Sequence, residues 1–182
     1  KITGVLVHGR NFNCYVSEPQ VKHDTNLSLT CLHDTLMDEL ASDPADTLYV
    51  QVDGGSENKN QWVIAYFVLL ISLKIFKKIK MCFLPVGHTH EDIDQGFSCI
   101  ARKLRHVNAY TFAQLVECVK TSFKKENRPP QVFQVGEVFD WKSYVASEEV
   151  AAMSSWTDNH IYRFSWNPYH KQVQMHYKKF DQ

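Results

Sequence analysis

The 182-residue chain has no excess charge of either sign: 20 lysines and arginines face 20 aspartates and glutamates. That balance removes any global electrostatic pull toward nucleic acid, so such a partner would have to be held by a local patch. Paired cysteine motifs are missing as well. The five cysteines, at positions 14, 31, 82, 99 and 118, are odd in number and form no C-x-x-C. This argues against a disulfide framework or a structural zinc site, and for buried thiols in a reducing compartment. Long apolar runs are absent: the longest, Trp62 to Ile71, is too short to span a bilayer and reads as a buried helix, so no membrane partner is expected. There is no repeat, no low-complexity tract and no charged-then-apolar leader. With Lys1 in first place, the chain reads as a fragment or a processed piece.

What is present is a globular composition, 44% hydrophobic and 13% aromatic, in a length that suits one domain with a real core and a small appendage. Ile2 to His8 and Asn13 to Val16 are rich in β-formers, and the intervening GRNF predicts a hairpin. Leu27 to Leu40 has helical spacing, with Asn26 as its N-cap and Asp43-Pro44 as its stop. Thr47 to Val52 is an apolar strand with almost no polar face, the pattern of a central strand covered on both sides. A core helix over Gln61 to Phe76 and a second apolar strand over Lys80 to Val86 complete a βαβ unit, whose strands should be parallel.

Beyond it, Ile93, Phe97, Ile100, Ala101 and Leu104 make one stripe on a helix over Glu91 to Arg105. Thr111 to Lys125 is a further amphipathic helix, Asn127 to Gln131 a linker, and Phe139 to Glu149 a helical segment. Ile161 to Trp166 and Gln172 to Tyr177 form a hairpin around Asn167-Pro168. The expected domain organisation is a core over 1–126 and a helical and hairpin extension over 127–182 packed on it.

Function in a parallel sheet gathers outside the carboxyl ends of its strands. Asp53 ends the first strand of the unit, and His88-Thr89-His90-Glu91-Asp92-Ile93-Asp94 begins just past the second. At ~100° per residue, Asp94 lies about 70° from the centre of its helix's apolar stripe and Asp92 about 130° away. Asp94 can therefore reach the sheet edge, while Asp92 suits the helix N-terminus, where Thr89 and Asp92 resemble a capping box. Two aspartates at the ends of parallel strands suit a hard divalent cation, Mg²⁺ or Mn²⁺. His88 is a further ligand or catalytic group. Lys74, Lys77, Lys78 and Lys80 read as a solvated edge between helix and strand. Arg102, Lys103, Arg105 and His106 could meet phosphates or serve the C-terminal end of a helix dipole.

LYVQVDGGSENKN, an apolar helix, and FLPVGHTHEDIDQGFSCIARKLR together resemble a family of transposon-derived eukaryotic domains. That family carries D-x(2,3)-G-x-N-K-N and then G-H-T-x(4)-D-x-x-F. The resemblance implies an α/β, ribonuclease H-like fold, as in DDE/D transposases and integrases: a mixed sheet with helices on both faces, plus C-terminal helices and a β-hairpin. It implies that Asp53 and Asp94 are metal ligands and catalytic acids with His88, and that Asn58, Lys59 and Asn60 match the N-K-N element and contact DNA. The first signature is shorter here, with Gly54 where the family often has asparagine. The family's fold also needs an acid on its first strand, and ITGVLVH, which matches the second strand, has none. The first acid is then expected upstream of Lys1, or replaced by another such as Asp24, or lost in an inactive copy.

Three functions compete. One is metal-dependent phosphodiester cleavage or strand transfer on DNA, placing the protein inside the cell and in the nucleus. A second is a domesticated domain that binds nucleic acid or protein without cleavage. The third is a hydrolase resembling metallo-β-lactamases, from His88-x-His90-x-Asp92; Ile93 departs from that pattern, and further ligands would come from His160, His170 or His176.

Overall fold

The computed structural model describes residues 1–84, 92–123, 129–147 and 159–179. Pro85, Val86, Gly87, His88, Thr89, His90 and Glu91 lie outside the described residues, as does 148–158. The fold is mixed α/β, built on two sheets. The first has the order β1-β2-β5, from β1 (Ile2–Val7), β2 (Asn11–Ser17) and β5 (Gln131–Val135). The second has the order β3-β4-β6-β7, from β3 (Thr47–Val52), β4 (Lys78–Phe83), β6 (Ile161–Asn167) and β7 (Gln172–Lys178). The helices are α1 (Thr25–Ser42), α2 (Gln61–Ser72), α3 (Asp92–Leu104), α4 (Phe112–Lys120) and the short α5 (Trp141–Tyr144).

The two predicted hairpins form: β1 pairs with β2 and β6 with β7, both antiparallel. The βαβ unit forms too, with β3 and β4 parallel and Val52 opposite Phe83. Two expectations are corrected. A single mixed sheet was anticipated, but β1 and β3 each end a separate sheet and no described strand joins them. And β3, expected to be covered on both faces, is an edge strand with Tyr49 69% exposed, because α2 packs against the second sheet from one side only among the described helices. The segment read as a linker ends in β5, which pairs in parallel with β2. Residues 131–178 thus add one strand to the first sheet and two to the second.

Helix α2 is apolar round most of its circumference, burying Val63, Ile64, Ala65, Tyr66, Phe67, Leu70 and Ile71. Such a helix must be covered on all sides. One side meets Ile79, Met81, Phe83, Tyr162 and Phe164 of the second sheet; the other meets Leu29 and Leu36 of α1 and Trp141 of α5. Helix α1 also lies on the first sheet, where Thr35 bonds Asn13 and Tyr15. Its N-cap is Asp24 rather than the anticipated Asn26: the Asp24 carboxylate accepts the N–H groups of Asn26 and Leu27 at 3.0 and 3.4 Å. Asp24 also pairs with Lys142 at 3.2 Å. As a cap already paired with a cation, it is engaged in holding α1 to α5. On the far face of the first sheet, α3 and α4 close a second core around Cys14, Val16, Ile100, Val116 and Val119. No helix among the described residues is long and apolar enough to cross a membrane.

No disulfide links any of the five cysteines. Burial pushes the thiols of Cys14 and Cys31 up to about 12. Alkylation of the native protein at pH 8 should therefore spare Cys14 and Cys31, roughly a hundredfold relative to the urea-unfolded chain, as peptide mapping would read. Helix α3 contacts the first sheet through Gly96. A Cβ there would lie 2.6 Å from Phe12 Cε1. Gly96→Ala should gain about 1 kcal/mol of helix propensity but lose ~1–3 kcal/mol to overpacking. A lowered urea midpoint is the expected net result.

Candidate functional site

The register that sets Val52 opposite Phe83 makes Asp53 and Leu84 leave the second sheet side by side. Leu84 N–H still donates to the Val52 carbonyl at 3.1 Å. The loop Asp53-Gly54-Gly55-Ser56-Glu57-Asn58-Lys59-Asn60 lies between this strand end and α2. Its geometry follows from short polar side chains bonding nearby backbone. Asp53 Oδ1 accepts from Gly55 N–H at 2.9 Å and from Asn58 Nδ2 at 2.7 Å. The N–H groups of Asn58 and Lys59 both donate to the Gly55 carbonyl.

Asn60 closes the loop. Its Oδ1 caps α2 by accepting from Trp62 and Val63 N–H at 3.0 and 3.2 Å. Its Nδ2 donates to Thr25 Oγ1 at 2.9 Å, which ties the loop to the start of α1, and to the carbonyls of Ser56 and Glu57. Lys59 Nζ sits 5.3 Å from the Phe83 ring centroid, a cation–π contact between the loop and the end of β4. The three residues of the N-K-N element thus have local roles: Asn58 holds Asp53, Lys59 covers Phe83, and Asn60 anchors the loop.

Gly55 carries a consequence that its sequence position does not reveal. A Cβ on it would lie 2.9 Å from Glu57 Oε2 and 3.0 Å from Asp53 Oδ1. Two carboxylates therefore flank the same backbone position, and a side chain there would stand between them. Glu57 was not singled out from the sequence, because only the turn of the loop brings it back toward Asp53. Asp53 is exposed, and its Oδ2 has no bonding partner among the described residues. Two oxygen donors of this kind fit a hard divalent cation. A third is not in place: among the described residues no three His, Cys, Asp or Glu side chains are grouped to hold a metal ion.

Asp92 and Asp94 both fall in the first turn of α3, and both are exposed. That helix packs on β1, where Phe97 meets Gly4, and Asp92 lies 3.7 Å from His8 Nδ1 at the end of that strand. Arg102 and Lys103 occupy the last turn of α3 and Arg105 follows it. Arg102 stands about 12 Å along the helix axis from Asp94 at 1.5 Å per residue. These cations and Asp94 cannot grip one atom; they could follow an extended ligand. His160 Nδ1 lies 3.3 Å from the Phe83 carbonyl, while His170 and His176 are exposed on the β6–β7 hairpin. A separate cleft of about 370 Å³ opens between α1 and β5, lined by Tyr15, Asp34, Asp38, Phe133 and Glu137 among others. None of the residues nominated from the sequence lines it.

The chain belongs to the family described as Domain of unknown function (DUF7869), whose model matches residues 1–182. No curated protein and no solved structure matches it.

Asn60→Ala removes both a helix cap and the tether to Thr25, and should lower stability by ~1–2 kcal/mol in urea unfolding. Asn58→Ala acts on the exposed side of the loop and should change stability by less than about 0.5 kcal/mol. Its expected signature is local: faster amide hydrogen exchange at Gly55, whose acceptor it no longer helps to hold.

Proposed function

We propose that this member of the DUF7869 family is a transposase-derived, ribonuclease H-like domain, with metal-dependent cleavage or strand transfer at DNA phosphodiesters centred on Asp53. The observation that carries the reading is the position of Asp53. It leaves the carboxyl end of a parallel strand, exposed, with one carboxylate oxygen fastened by Gly55 and Asn58 and the other without a bonding partner among the described residues. In this reading Asp53 and Asp94 hold Mg²⁺ or Mn²⁺, and His88 is a further ligand or catalytic group. Such an ion, when bound, supplies an activated water or hydroxyl and neutralises charge on the phosphoryl group. Asn58 keeps the Asp53 carboxylate oriented, and Asn60 fixes its loop to α1 and α2. Arg102, Lys103 and Arg105 take phosphate contacts along the strand. Work on DNA places the protein in the nucleus.

A second reading is a domesticated domain that binds without cleaving. It is favoured by the local bonds of the N-K-N element: Asn58 holds Asp53 and Asn60 caps α2, roles that serve the fold with or without a metal.

The test compares the wild-type protein with Asp53→Asn and Asp94→Asn on supercoiled DNA in Mg²⁺ or Mn²⁺. Nicking that falls at least a hundredfold in both variants, with loss of Mn²⁺ binding by electron paramagnetic resonance, is the expected result. Nicking that survives both substitutions would overturn the catalytic reading. DNA binding without nicking in all three proteins would favour the domesticated one.

A further inference from the structure

Among the described residues the second sheet has its helical cover on one face, and Tyr49, Arg163 and His176 on the other are exposed. Side chains alternate along a strand, so Ile79, Met81, Phe83, Tyr162 and Phe164 turn toward α2, and their neighbours turn away. The register aligns those neighbours across all four strands. Tyr49 lies opposite Lys80, Lys80 opposite Arg163, and Arg163 opposite His176. One row therefore reads tyrosine, lysine, arginine, histidine, and Lys78 adds a further cation in the adjoining row.

The charge of this face is one-sided. No Asp or Glu occurs in β3, β4, β6 or β7, although the whole chain is neutral. None of the ion pairs among the described residues involves Lys78, Lys80 or Arg163. Like charges directly opposite on paired strands destabilise a sheet, so the Lys80–Arg163 juxtaposition works against the fold rather than for it. An anionic ligand would reverse that sign. Tyr49 stands at the end of the row, 69% exposed, with Lys80 Nζ 4.8 Å from its ring centroid.

We propose that this open face binds single-stranded nucleic acid, with phosphates over Lys80 and Arg163 and a base against Tyr49. The aromatic ring decides between single strand and duplex. An exposed ring beside cations serves a base whose face is free, and a duplex keeps its base faces stacked. The row crosses three inter-strand steps of about 4.8 Å, room for a short stretch of backbone. The inference rests on the register of the second sheet and does not depend on metal chemistry at Asp53.

The experiment is fluorescence anisotropy of a labelled twelve-residue oligothymidylate with EDTA present, against a duplex of equal length. The oligothymidylate should bind more tightly than the duplex. Lys80→Gln/Arg163→Gln should weaken its binding at least tenfold at low salt. The same pair should flatten the slope of log K against log salt by about 1.4, for two phosphates at 0.7 each. Tyr49→Ala should cost roughly tenfold through lost stacking. Lys120→Gln, on α4, should leave binding unchanged. The Gln variants should keep or raise the urea midpoint, since they relieve repulsion; a lowered midpoint would mark the cations as structural and overturn the proposal. Equal affinity for the duplex, or competition by polyglutamate as effective as by oligothymidylate, would also overturn it. Asp53→Asn should bind as the wild type does, so a failed cleavage assay and a failed binding assay are separate results.

Discussion

Covering helix α2 is the constraint from which the architecture follows. Its buried residues run from Val63 to Ile71 with few polar interruptions, and a helix apolar round its circumference cannot lie on a surface. The second sheet takes one side and α1 with α5 take the other. Because α1 is then a middle layer, it has a second face to bury, and the first sheet supplies the cover through Asn13, Tyr15 and their neighbours. Among the described residues the layers run from α3 and α4 through the first sheet, α1 and α2 to the second sheet, whose outer face carries polar and basic side chains.

The same constraint places the candidate site. Burying α2 requires its N-terminus to be finished close to the core, and Asn60 does this with one carboxamide that caps the helix and reaches Thr25. A loop fixed at that end and at the end of β3 has little freedom between them. Asn58 then reaches Asp53, and Glu57 turns back across Gly55. The polar residues of the N-K-N element thus build the loop, and any ligand chemistry at Asp53 depends on that scaffold.

The two basic regions of the chain behave differently for a related reason. Arg102, Lys103 and Arg105 are consecutive enough to be noticed in sequence, and they fall at a helix end where the dipole favours them. Lys80, Arg163 and His176 are separated by up to about a hundred positions, and only strand pairing makes them a row. A neutral chain can hide a one-sided surface in this way, because net charge sums over residues while a ligand meets a face.

Much of the fold was legible in the residues alone. Period-two and helical patterns are local, so the two hairpins, the parallel β3–β4 unit and helices α1 to α4 could be read from spacing and turn residues, as could Asp53 at a strand end. Strand β5 was hidden in a proline-bearing segment, and its pairing with β2 joins positions more than a hundred apart. The cap of α1 was missed by two residues because Asp24 and Asn26 are both good caps, and only the backbone bonds choose between them. Local chemistry determined which segments become helices and strands. Tertiary packing decided that they form two sheets, which face of the second stays open, and which side chains meet there, since those outcomes depend on burying distant apolar surfaces together.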